Sequence, residues 1–227
     1  MPQLYIIAGC NGAGKTTASD TILPEILDCR EFVNADIIAA EICPAHPESV
    51  ALEAGRKMLH NIQLLVKEKT DFAFETTLAT KSYTSLIKNV KKEGYSVTLL
   101  YFWLDSPHIA KRRVLKRVQE GGHNIPPEVI ERRYYRGIEN LHNLYIPICT
   151  NWMIVNNTTP SSREAALGSE TGQEELKTFS DKIMHGLKIA MRKMVETKAD
   201  NNQSLVISDG KGNIQEVPAK EYLGTMK

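Results

Sequence analysis

Five short apolar runs are spaced along the first 155 residues, and between them apolar positions recur every three or four residues. The runs are LYIIA at 4–8, EFVNA at 31–35, DFAF at 71–74, YSVTLLYFWL at 95–104 and NWMIV at 151–155. Each has the length and the β-branched or aromatic content of a buried strand. The run at 95–104 is the most apolar and is expected near the centre of a sheet. Helical spacing predicts a helix over 16–27, where Pro24 forces a kink or an early end. It predicts others over 48–67, carried by Leu52, Leu59, Ile62, Leu65 and Val66, and over 81–92, stopped by Gly94. Ser106-Pro107 opens a helix through Val118 that Gly121-Gly122 ends, and Pro126 or Pro127 starts the next, to Tyr145. Strands alternating with helices predict an α/β fold, a parallel sheet wrapped by helices.

Beyond residue 156 the pattern changes. Residues 156–172 are rich in Thr, Ser, Pro, Gly and charge, and are expected to be a linker or exposed loop. Helical periodicity returns over 176–195 with Leu176, Phe179, Ile183, Leu187, Ala190 and Met194. Two short strands, 204–207 and 214–217, flank DGKGN at 209–213, which favours a hairpin turn. A calcium loop at the same place lacks the required glycine and terminal glutamate. The expected division is a core at 1–157, with a lid around 107–145, and a C-terminal extension at 158–227.

Composition narrows this picture only slightly. A chain of 227 residues, 42% hydrophobic and 24% charged, suits one compact domain with an appendage. Its net charge of +1 provides no bulk field for nucleic acid or an anionic membrane, and no apolar run has the length of a membrane span. Four cysteines (Cys10, Cys29, Cys43 and Cys149) lack metal-ligand spacing, and no secretory signal opens the chain. They read as reduced thiols of a cytoplasmic protein, with Cys10 a candidate for oxidation.

The candidate chemistry begins directly after the first strand. GCNGAGKTT at 9–17 is a G-x-x-x-x-G-K-T phosphate-binding loop between a strand and a helix. Gly9, Asn11, Gly12, Ala13 and Gly14 let backbone N–H groups turn around a phosphate, with Lys15, Thr16 and Thr17 completing the site. Lys15 is expected on the β- and γ-phosphates of ATP and the Thr16 hydroxyl on Mg²⁺. Asp36 falls at the ligand-facing end of the second strand, as a base for an acceptor hydroxyl or as a helix cap. Glu75, followed by Thr76 and Thr77, ends the third strand, where it serves a polyol, a metal-bound water or a cap.

Arg113 and Arg117 share one helix face, and Arg132 and Arg136, with Arg133 adjacent, mark the next helix. Two such helices joined by Gly121-Gly122 suggest a lid closing on a triphosphate, since the guanidinium fork binds phosphate bidentately. A solvated basic face and an RNA-backbone patch are the alternatives. His123 is a lid-loop residue without an assigned role. Asp105, at the end of the fourth strand, reads equally as a Walker-B aspartate or a helix cap.

GCNGAGKTT, the NAD triplet at 34–36, ETTL at 75–78, FWLDS at 102–106 and the lid stretch RVLKRVQEGGHNIPPEVIERRYYRGIENL together resemble the zeta-toxin family of P-loop kinases. The resemblance covers about 4–155. It implies a nucleotide-kinase fold, ATP with Mg²⁺, and transfer of the γ-phosphoryl group to a small hydroxyl-bearing acceptor, as on the amino sugar of UDP-N-acetylglucosamine. It also implies Asp36 as general base, Glu75 and Thr77 on the substrate side, and Arg117 with Arg132 or Arg133 as lid arginines. An antitoxin protein is an implied partner. The sequence departs from the family at Ala79, where an arginine is common, at Cys10, where a proline is common, and in its tail. The competing reading is a nucleotide-dependent ATPase or switch acting on a macromolecular partner.

Overall fold

The computed structural model describes residues 1–122, 124–159, 163–170, 172–209 and 213–226. Strand β1 (Gln3–Gly9) lies between β3 (Phe72–Thr76) and β4 (Ser96–Trp103), with β2 (Glu31–Val33) outside β3 and β5 (Asn151–Asn156) outside β4. These five strands are parallel, as the alternation of runs predicts. Burial on both faces explains their unbroken apolar character. Leu4, Ile6 and Ala8 of β1 join a core with Phe72, Phe74, Val97 and Leu99 on one side. Tyr5 and Ile7 join Leu100, Phe102, Met153 and Val155 on the other. Each fully buried Leu, Ile or Phe contributes roughly 1.5–3 kcal/mol.

Helix α1 (Lys15–Thr21) starts inside the phosphate loop and passes into a π-helical turn at Ile22–Ile26. Pro24 lies in that turn, where Leu27 donates its N–H to the Ile22 carbonyl at 3.0 Å. The expected kink therefore takes the form of a widened turn. Helices α2 (Ala35–Ile42), α3 (Ala51–Glu68), α4 (Tyr83–Lys92), α5 (Pro107–Gln119) and α6 (Pro127–Asn140) follow. A second π turn, Leu141–Tyr145, and a 3₁₀ turn, Ile146–Ile148, lead into β5.

The stretch expected as a linker contains strand β6 (Arg163–Ser169), paired antiparallel with β5 at the sheet edge. Its sequence, REAALGS, has no β-branched or aromatic residue, so propensity is silent and pairing with β5 forms the strand. Helix α7 (Gln173–Asp200) is 28 residues, roughly 42 Å at 1.5 Å per residue. It packs on α1 and the adjoining π turn, where Gly186 permits the close approach: a β-carbon there would lie 2.6 Å from Ile26. Strands β7 (Ser204–Ser208) and β8 (Ile214–Pro218) form the expected hairpin. Its tip at 210–212 lies outside the described residues, as does His123. Helix α8 (Ala219–Thr225), too short to read from periodicity, closes a small core of Val195, Ala199, Leu205 and Ala219.

Candidate active site

Gly9, Gly12 and Gly14 all take positive φ, a conformation L side chains disfavour, and so allow the backbone to curl between β1 and α1. Lys15 is only 6% exposed. Its ammonium donates to the Cys10 carbonyl at 3.1 Å and lies 3.4 Å from Glu75 Oε1. The Thr16 hydroxyl donates to the other Glu75 oxygen at 2.9 Å. Strand pairing positions this clamp: β1 and β3 run parallel with Ile7 opposite Glu75 and Ala8 opposite Thr76, so the end of β3 stands beside the loop. The Thr16 hydroxyl and Glu75 carboxylate are hard oxygen donors, the type Mg²⁺ prefers when it keeps water and phosphate for its remaining positions. Among the described residues no group of three or more His, Cys, Asp or Glu side chains could hold a metal.

Asp36 is exposed at the second position of α2 and lines the same cavity of about 310 Å³ as Lys15, Thr16 and Glu75. The cap of α2 is Asn34, whose Oδ1 accepts the Asp36 N–H at 2.8 Å. The side chain of Asp36 is therefore not needed to cap its own helix. Thr77 does not line this cavity. It sits in a turn where buried Leu78 takes φ +55°, held by Asn140 donating to the Leu78 carbonyl at 2.7 Å. A buried branched side chain in that region is an uncommon, strained conformation.

The arginines separate into different roles. Arg133 donates to Asn11 Oδ1 of the phosphate loop at 3.1 Å; burial lowers its pKa and nearby Asp36 counteracts the shift. Arg117 is exposed and lines the cavity, whereas Arg132 and Arg136 are exposed and lie off it. Arg113 is held by backbone: its guanidinium donates to the carbonyls of Asn157 and Thr158 at 2.9 Å each and of Val206 at 3.3 Å. Burial pushes its pKa down to about 10. Helical spacing groups Arg113 with Arg117, but packing under β7 makes Arg113 a strut between the core and the tail.

Asp105 accepts from Trp103 Nε1 at 3.3 Å and Asn156 Nδ2 at 3.0 Å, and does not line the cavity. Ser106 caps α5. Asp105 thus orders the turn after β4. Cys10 is buried and its thiol is pushed up to about 11, mainly by desolvation, so oxidation through the thiolate is suppressed.

Motif reasoning missed several lining residues. Asn157 holds the loop by donating to the Ala13 carbonyl at 2.8 Å. Glu120 just past α5, Met191, Met194 and Lys198 of α7, and Leu205 of β7 also line the cavity. The periodicity of 176–195 marks a buried face but does not say what lies against it.

A family model described as Zeta toxin matches residues 1–157, and one described as a domain of unknown function, DUF8506, matches residues 171–227. A Haemophilus influenzae protein described as uncharacterized is 30% identical over 126 residues, 56% of this chain and 88% of that one. Among solved structures, one from the PezAT chromosomal toxin-antitoxin system of Streptococcus pneumoniae superposes with a TM-score of 0.60 at 16% identity, covering 84% of this chain and 87% of that chain. The AvrRxo1-ORF1:-ORF2 structure with ATP gives 0.51 at 15% identity, covering 85% and 76%. These two likenesses bear on the fold. No helix among the described residues is long and apolar enough to cross a membrane. With the zeta-toxin model matched over the whole phosphate-loop core, the chain belongs to the zeta-toxin family of ATP-dependent P-loop kinases.

Proposed function

We propose that this kinase transfers the terminal phosphoryl group of ATP to a hydroxyl of a small acceptor, with a UDP-linked amino sugar such as UDP-N-acetylglucosamine as the candidate. The observation that carries this reading is the placement of Asp36. Its carboxylate lines one cavity with Lys15, Thr16 and Glu75, while Asn34 caps the helix in its place. Asp36 orients the acceptor hydroxyl and takes its proton as the acceptor oxygen bonds to the γ-phosphorus. The bond from that phosphorus to the β-phosphate oxygen breaks, and the electron pair leaves with ADP.

Lys15 and the loop N–H groups hold the β- and γ-phosphates. Arg117, which lines the cavity, and Arg133, which is off its lining but anchored on Asn11 of the loop, are the residues this reading assigns to neutralising charge on the transferring group. Thr16 and Glu75 would hold Mg²⁺, which supplies charge neutralisation across the phosphates. Glu75 thereby belongs with the phosphate and metal residues in this reading, and Thr77, which does not line the cavity, is left without a substrate contact in it. The reading also includes an antitoxin-like protein partner, supported by the likeness to a structure from a toxin-antitoxin system, and a cytoplasmic location, supported by the use of ATP.

The test is ADP release with a panel of UDP-sugars, nucleosides and RNA ends. Release that rises about tenfold or more with one small acceptor, together with a phosphate monoester on that acceptor, is the expected result. Release unchanged by every small acceptor, but stimulated by a macromolecule, overturns it.

A further inference from the structure

Four residues that line the cavity fall on one stripe of α5 and its cap: Arg113, Lys116, Arg117 and Glu120, at positions i, i+3, i+4 and i+7. Three of them are tied to the segment beyond the zeta-toxin match. Arg113 donates to the Val206 carbonyl of β7, Lys116 pairs with Glu216 of β8, and Glu120 Oε2 accepts from Lys198 of α7 at 2.7 Å. The fourth is Arg117, the exposed arginine assigned to the transferring phosphoryl group.

The two ends of α5 are held differently. Toward its start the helix rests on the phosphate loop, where a β-carbon at Gly12 would lie 2.8 Å from the Ala110 carbonyl oxygen. Its other end is closed by two backbone hydrogen bonds. Gly121, at φ +88°, donates to the Val118 carbonyl at 3.0 Å, and Gly122 donates to that of Arg117 at 2.8 Å. Gly122 folds so closely over Arg117 that a β-carbon there would lie 2.6 Å from Arg117 Cγ. This turn sets the course of the arginine's stem, and the C-cap residue from which it springs is Glu120.

Glu120 is anchored by Lys198, in a pair 16% and 23% exposed, where water and salt screen less than at the surface. Its second oxygen, Oε1, is buried with no hydrogen-bond partner among the described residues, so the carboxylate depends on the Lys198 ammonium. Loss of that ammonium leaves a part-buried charge uncompensated and drives Glu120 toward water, carrying the turn and Arg117 with it.

We propose that the C-terminal segment braces the catalytic arginine: Lys198, acting through Glu120 and the Gly121-Gly122 turn, is a positioning residue that holds Arg117 at the terminal phosphate of ATP. The proposal rests on the reading of Arg117 as a phosphate-binding arginine. Calorimetry with ATP and with ADP tests both, because Arg117 is assigned to the one phosphate in which they differ. Arg117→Ala should lower the ratio of ATP to ADP affinity about tenfold. Lys198→Met should lower it about fivefold and leave ADP affinity within about twofold of wild type. The Arg117→Ala/Lys198→Met double variant should match Arg117→Ala alone, since a brace has no effect once the group it holds is gone. Should Lys198→Met lose ADP binding through misfolding, Glu120→Gln, which weakens the same pair at constant size, decides by the same ratio. A ratio unchanged by Lys198→Met, or a loss that multiplies with that of Arg117→Ala, overturns the brace and leaves Arg117 in its role. A ratio unchanged by Arg117→Ala removes the arginine from that phosphate, and the brace falls with it.

Discussion

The two ends of the cavity are built from different materials. At the loop end the residues are polar and, in the proposed mechanism, fixed in type: an ammonium for phosphate, a hydroxyl for metal, a carboxylate for a proton. At the tail end they are apolar, drawn from α7 and β7, and interchangeable with other residues of similar size. Chemistry that must act on a particular atom dictates residue identity, whereas a wall that excludes water dictates only volume and polarity. Loss of a side chain should therefore be abrupt at the first end and graded at the second.

The largest expected effect is at Lys15. Lys15→Ala should lower acceptor-dependent turnover by about a thousandfold or more and weaken ATP binding together with it, measured by ADP release and calorimetry. It removes both the proposed phosphate contact and one of the partners of Glu75. Comparable loss from a single tail-side Met→Gln change would erase the contrast between the two ends.

Arg113 and Arg117 give the next test, because helical spacing makes them equivalent and their surroundings do not. Arg113→Ala leaves three backbone carbonyls without their donor and should cost about 3 kcal/mol of unfolding free energy in urea. Arg117→Ala, at an exposed position, should change stability by less than about 0.5 kcal/mol yet lower turnover about tenfold or more.

Much of this was legible before any coordinate. The five parallel strands, the loop and the hairpin follow from patterns that the backbone enforces locally. Two features lay outside such reach. Strand β6 exists through its pairing with β5, although REAALGS carries no strand signal of its own. Arg113 also looks like Arg117 along the helix, and only its burial beneath Val206 assigns it a structural role. The carboxylate of Glu75 was found from its place at a strand end, but its attachment to Lys15 and Thr16 required the β1–β3 register.

A smaller effect should appear with pH, and the part due to thiols belongs to the core side, since all four cysteines precede residue 150. Burial pushes the thiol of Cys10 up to about 11 and that of Cys149 up to about 12. An unfolded thiol ionises near pH 8.5, so between there and the folded values the unfolded chain holds fewer protons and gains as pH rises. Stability measured by urea unfolding should fall from pH 8 to pH 10 by up to about 2 kcal/mol per buried thiol. Cys10→Ala should flatten that slope.

The smallest change concerns Glu75. Glu75→Gln keeps an oxygen for Thr16 but removes the charge facing Lys15, and should raise the Mg²⁺ concentration for half-maximal turnover about tenfold. An unchanged Mg²⁺ requirement would return Glu75 to the acceptor side of the cavity.

The central claim, that Asp36 carries the proton of the acceptor while the loop carries the nucleotide, meets its most direct test in one variant measured twice. Asp36→Asn preserves size and the capping by Asn34. ATP affinity by calorimetry should stay within about threefold of wild type, while acceptor-dependent ADP release from the same preparation falls about a hundredfold or more. Wild-type turnover in that variant would contradict the account.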